Sequence, residues 1–93
     1  MAAATMITTT LFQYIRTNKG RRKGILVSGK DSEGLVSIGW SLCSKQDKFD
    51  LNKAYLIAEG RMDRGLDLDK VPHSISKNVD QFIDRCKRYY HVD

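Results

Sequence analysis

From Leu35 to Cys43 the chain alternates with a period of two: Val36, Ile38, Trp40 and Leu42 are large and apolar, while Ser37, Gly39 and Ser41 are small. That period predicts a strand. Its large face is expected to cover the core. Its small face leaves little bulk, so a helix, a ligand or a partner can cross it closely. Residues 6–16 are rich in β-branched and aromatic types, which fit a pleated surface. Ile7, Leu11 and Ile15 fall on one side of that pleat, with Phe12 and Tyr14 on the other. A helix over Leu11–Arg16 competes, but three consecutive threonines disfavour it. Asn18-Lys19-Gly20 marks a turn, and Gly24 to Ser28 reads as the next strand. A polar turn over residues 29–34 then leads into the alternating segment.

Past residue 46 the period lengthens. Asp47 and Asp50 are good helix-starting residues, and Leu51, Ala54, Tyr55, Ala58 and Met62 make one apolar stripe. That helix is predicted to end near Gly60 or Arg61. Residues 63–72 read as a loop with three aspartates and the one proline, Pro72. Ser74 or Ser76 is placed to cap a last helix, which carries Val79, Phe82, Ile83, Cys86 and Tyr90 inward. The expected fold is α+β: a three-stranded antiparallel meander covered on one face by two C-terminal helices, in the order β-β-β-α-α.

Composition narrows this picture without changing it. The 93 residues are 41% apolar and 29% charged, as expected for one folded domain spanning 1–93. No basic, apolar leader opens the chain, and no run approaches the roughly 18 apolar residues of a spanning helix. A soluble cytoplasmic protein, with no membrane partner, is the expectation. Cys43 and Cys86 are far apart in apolar settings, which suits buried thiols in a reducing compartment. Whether they approach each other is not legible in their spacing. The formal charge of +5 is localised. Residues 16–30 carry Arg16, Lys19, Arg21, Arg22, Lys23 and Lys30 without an acidic residue.

Three stretches carry a resemblance. They are Ile38-Gly39-Trp40-Ser41-Leu42-Cys43-Ser44, then Asp47-Lys48-Phe49-Asp50, then Ile57-Ala58-Glu59-Gly60-Arg61. Together they resemble a group of short proteins encoded by tailed bacteriophages. In these, a strand ending in Gly-x-Ser-Leu-Cys precedes an Asp-x-Phe turn and a helix ending in Ala-x-Gly-Arg. Val71-Pro72-His73-Ser74 and Arg85-Cys86-Lys87-Arg88-Tyr89-Tyr90 also fit, so the resemblance covers about residues 24–90. Ala54-Tyr55 departs from it, standing where a glycine is expected. The resemblance implies the cytoplasm of an infected bacterium, where small phage proteins act on host machinery or immune signalling.

Catalysis finds little support. His73 and His91 are the only histidines, and neither has a nucleophile at useful spacing. Asp63, Asp67 and Asp69 lack the glycine and closing glutamate of a calcium loop, and read as a solvated loop pairing with Arg61, Arg64 and Lys70. No metal or cofactor is expected.

The positive signals are basic. Arg21, Arg22 and Lys23 sit at the tip or shoulder of a hairpin, where they reach phosphates. Arg85, Arg88 and Tyr89 lie off the apolar stripe of the last helix, and a tyrosine between arginines suits a base and a phosphate. Asp84 and Arg88 form an ordinary i, i+4 pair on the same helix. Gly39, Ser41 and Arg61 make a third candidate, a shallow nucleotide pocket on an open strand face. The expected function is binding of a phosphate-bearing ligand, either nucleic acid or a host signalling nucleotide. The expected contacts are Arg21, Arg22, Lys23, Arg61, Arg85, Arg88 and Tyr89. An inhibitor or adaptor of a host protein is the alternative. A homo-oligomer is expected on the ground that a sheet covered on one side leaves its other face to be protected.

Overall fold

The computed structural model describes residues 9–31, 33–43 and 48–91. Strands β1 (Leu11–Arg16), β2 (Arg22–Lys30) and β3 (Val36–Leu42) form an antiparallel sheet in that order. Helices α1 (Leu51–Arg64) and α2 (Ser76–Tyr90) follow, joined through short 3-10 turns at Leu68–Lys70 and His73–Ile75. The α+β class and the element order are those read from the sequence. Ile7 and Asp47 lie outside the described residues.

The helices do not share a face. Because side chains alternate along a strand, Ile25 and Val27 of β2 point to one side of the sheet and Leu26 and Ser28 to the other. Ile25 and Val27 pack with Ala54, Ala58 and Met62 of α1. Leu26 packs with Ile15, Ile38 and the Val79, Phe82 and Cys86 side chains of α2. The sheet is therefore the middle of three layers. Its central strand, buried on both faces, shows no exposed position from Gly24 to Gly29. The expectation of two helices on one face is corrected accordingly, and with it the reason given for self-association.

The small face of β3 is the one α1 occupies. Gly39 lies directly beneath the Ala58 carbonyl and the Met62 amide, so the helix settles close to the sheet. The large face of β3 meets α2 instead, through Ile38 and Trp40. α1 runs past Gly60 to Arg64 and stops at Gly65, whose φ of 86° is favourable only for glycine. Its start is capped by Asp50, whose carboxylate accepts from the Lys53 amide at 3.2 Å. Neither Ser74 nor Ser76 caps α2. The helix continues out of the 3-10 turn, and the Ser76 hydroxyl donates back to the His73 carbonyl at 3.0 Å.

Cys43 lies on the α1 side, in a cleft with Phe49 and Ala54, and Cys86 is buried on the α2 side. The sheet separates them, and neither is in a disulfide. Burial pushes the Cys86 thiol up, outweighing a hydrogen bond from Ser28 and the charge of Arg85.

Ser28 is fully buried and shares a 3.0 Å hydrogen bond with the Tyr90 hydroxyl, which also bonds Thr10. This short chain ties the C-terminal turn of α2 to β1 and β2. Tyr90→Phe should lower unfolding free energy by about 1 kcal/mol, the net worth of such a bond, in a denaturant titration. No measurable loss would mean that the network does not hold α2.

Candidate nucleic-acid interface

Among residues 9–31 no acidic side chain precedes Asp31, and the positive charge gathers at the β1–β2 turn. The turn is closed by its own hydrogen bonds. The Thr17 amide donates to Arg21 O at 2.8 Å, the Gly20 amide to Thr17 O at 2.9 Å, and the Thr17 hydroxyl oxygen accepts from Arg21 N at 3.2 Å. Gly20 supplies the positive φ, 82°, that this reversal needs. Arg16 Nη1 donates across it to Gly20 O at 2.9 Å. Arg16, Lys19, Arg21 and Arg22 are exposed on a turn of defined shape.

A β-bulge then decides where the arginines point. Ile15 pairs with Gly24, but Arg16 pairs with Arg22, so Lys23 is the extra residue. Without it Arg22 would fall on the α2 side of the sheet. With it, Arg16 and Arg22 both stand over the Tyr14 ring, at 5.5 and 5.1 Å from its centroid. Arg22 also lies 5.3 Å from the Phe49 ring. Tyr14 meets Phe12 and Phe49 edge-to-face at 5.6 and 6.3 Å.

α1 rests mainly on β2 and β3, so the strip is only partly open, with Tyr14 and Phe49 half-buried against the α1-side core. Phe12 is 50% exposed. Between β1 and the helix runs a groove of about 240 Å³, lined by Phe12, Tyr14, Ile25, Leu51, Asn52 and Tyr55. Three rings and two guanidiniums thus cluster around Tyr14 on the α1 face of the sheet. A ring offers a stacking surface to any base, and a guanidinium held over a ring keeps edge N–H groups for a phosphate.

The sequence-predicted residues divide into three places. Arg21, Arg22 and Lys23 are at the hairpin end, as expected. Arg85 and Tyr89 lie across β1 on its other face: Arg85 Nη1 donates to Gln13 Oε1 at 2.9 Å, and the half-exposed Tyr89 stacks on Tyr90 at 4.9 Å. Arg88 is exposed on the last turn of α2. Arg61 belongs to the opposite edge of the sheet, where it bonds β3. The strand face at Gly39, read as open, is closed by α1. The cleft of about 250 Å³ beside Ser41 is lined by Phe49, Lys48 and Lys53 and includes neither Gly39 nor Arg61, so the three candidates do not share a pocket. Among the described residues Lys70–Asp67, at 4.0 Å, is the ion pair found; the Asp84–Arg88 pairing is not made.

Phe12, Tyr14, Arg16 and Phe49 were not singled out by sequence reasoning. The alternation placing Phe12 and Tyr14 opposite Leu11 and Ile15 was the available signal. Among the described residues no three His, Cys, Asp or Glu side chains are grouped to hold a metal, and no helix is long and apolar enough to cross a membrane. No family model matches the chain, and neither the curated proteins nor the solved structures include a match to it.

Proposed function

We propose that this protein binds single-stranded nucleic acid along the β1 edge of its sheet. The observation that carries the reading is the cluster of Arg16 and Arg22 over the Tyr14 ring, flanked by Phe12 and Phe49, beside a turn with no acidic residue. Bases stack on the rings. Arg16, Arg21, Arg22 and Lys23 neutralise phosphates, and Arg85 and Tyr89 extend the contact around the edge. A duplex hides its base faces, so the rings favour an unpaired strand. The resemblance to tailed-phage proteins supports a setting in the host bacterial cytoplasm. Sequestering a nucleic acid or a phosphate-bearing signal of the host against its defence is the corresponding role.

Fluorescence anisotropy with a labelled single strand of about ten nucleotides tests this. Four phosphate contacts give a log K against log salt slope of roughly −3, at about −0.7 per contact. Tyr14→Ala should weaken binding about tenfold, and Arg22→Ala should flatten the slope by about one contact. Equal affinity for duplex, or a Tyr14→Ala protein that binds as well as wild type, would sink the stacking reading.

A second reading has its own observation. The groove beside Phe12 and Leu51 is almost wholly apolar, which suits an inhibitor or adaptor surface for a host protein. A host protein retained by wild type, lost with Phe12→Ser and kept with Arg21/Arg22/Lys23→Ala, would favour it.

A further inference from the structure

At the other edge of the sheet, three more cations and the chain's one tryptophan converge. After Gly65 the chain reverses and crosses the β3 edge from the α1 face to the α2 face, sending Leu66 back to the α2-side core. Between this crossing and the strand lies a cleft of about 380 Å³, whose lining includes Ile38, Trp40, Arg61, Arg64, Leu66, Lys70 and one acidic residue, Asp67. Trp40 O has no neighbouring strand on that side. Arg61 Nη1 fills the vacancy at 2.9 Å, and its guanidinium lies 3.9 Å from the Trp40 ring centroid. Arg61 is thereby locked in place, with further N–H groups left over.

A purely structural account covers part of this. Arg61 and Arg64 complement the negative end of the α1 dipole, and Arg61 ties the helix to the strand. It leaves out why like charges are held together over a concave, partly apolar surface. Among the described residues neither Arg61 nor Arg64 forms an ion pair. The carboxylate among the lining residues, Asp67, is engaged with the Asp69 amide at 3.1 Å and with Lys70. Burial first, and the charge of Arg64 second, disfavour the Arg61 cation. An anion in the cleft offsets the repulsion between the two guanidiniums.

We propose that this cleft is a binding site for a small phosphomonoester of about mononucleotide size. Its volume lies in the range of ligand pockets, about 300–1,000 Å³. The phosphate fits among Arg61, Arg64 and Lys70, and the organic part rests against Ile38, Leu66 and the edge of Trp40. The site goes beyond the strand-binding edge, lies on the opposite side of the sheet, and does not depend on that reading.

The single indole N–H of Trp40 gives one cross-peak in a ¹H–¹⁵N correlation spectrum, which reports on the cleft directly. Titration with uridine 5′-monophosphate should shift it saturably, with Kd on the order of 1 mM or below. Uridine and inorganic phosphate should each bind at least about tenfold more weakly, each lacking one half of the recognised molecule. Arg64→Glu replaces an exposed side chain at the α1 C-terminus, and a circular-dichroism spectrum matching wild type checks that the reversed charge leaves the fold intact. The substitution should weaken binding at least about tenfold, as should Lys70→Glu, by loss of a charge-assisted contact. Tyr14→Ala and Arg22→Ala should leave it unchanged. No saturable shift in the wild type, unaltered binding by Arg64→Glu, or equal binding of uridine or of phosphate alone would each overturn the proposal.

Discussion

Gly39→Ala is expected to cost about 3 kcal/mol or more of unfolding free energy, and to leave much of a domain this small unfolded at 37 °C. The added Cβ would lie inside the contact distance of the Ala58 carbonyl oxygen and 2.6 Å from the Met62 amide nitrogen. Both are backbone atoms of one helical turn, so no side chain can swing aside. Relief requires α1 to lift from β3, and that lift opens the Ala54, Ala58 and Met62 contacts with Ile25 and Val27 together. Gly60→Ala is the control. It lies in the same helix, a Cβ there meets nothing within 4 Å, and it should stabilise by roughly 0.5–1 kcal/mol through helix propensity. A Gly39→Ala protein with a wild-type urea midpoint would mean that α1 does not rest on β3 as described.

The same glycine marks how far the sequence could be followed. The alternation around it predicted a strand with a large face and a small face, and both exist. What alternation does not carry is what covers each face. The α1 stripe and the α2 stripe fit any apolar surface equally well. Their separation depends on residues 65–75 crossing the β3 edge, a matter of path that no local pattern records. A fully buried central strand was the one clue, since β2 from Gly24 to Gly29 has no polar face to expose. The site was legible to the same degree. The basic block at Arg21–Lys23 was visible as charge without acid. Its partnership with Tyr14 and Phe49 was not, because it turns on a bulge at Lys23 that inverts the direction of Arg22. Arg61 was visible as a candidate, but its bond to the edge carbonyl of Trp40 joins positions 21 residues apart and follows only from the docked helix.

On the α2 face the controlling residue is Phe82. It is fully buried, and Ile15, Leu26, Ile38, Ile75, Val79 and Cys86 make up the rest of its cluster. α2 enters without a side-chain cap, so its attachment to the sheet depends mainly on this packing. Phe82→Ala is expected to cost about 3–5 kcal/mol, the loss for a buried phenyl ring and the cavity it leaves. Typical domains hold only about 5–15 kcal/mol, so such a loss is decisive. The mode of failure is also specified. The two clusters lie on opposite faces, yet both are built on β2, with Leu26 facing α2 and its neighbours Ile25 and Val27 facing α1. Losing one face exposes the strand that carries the other, so the layers should melt as one unit. Trp40 fluorescence and helical circular dichroism should therefore report coincident transitions, shifted together to lower denaturant. Two separated transitions, with Trp40 fluorescence still native-like after the first, would show that β1–β3 and α1 form a stable unit without α2.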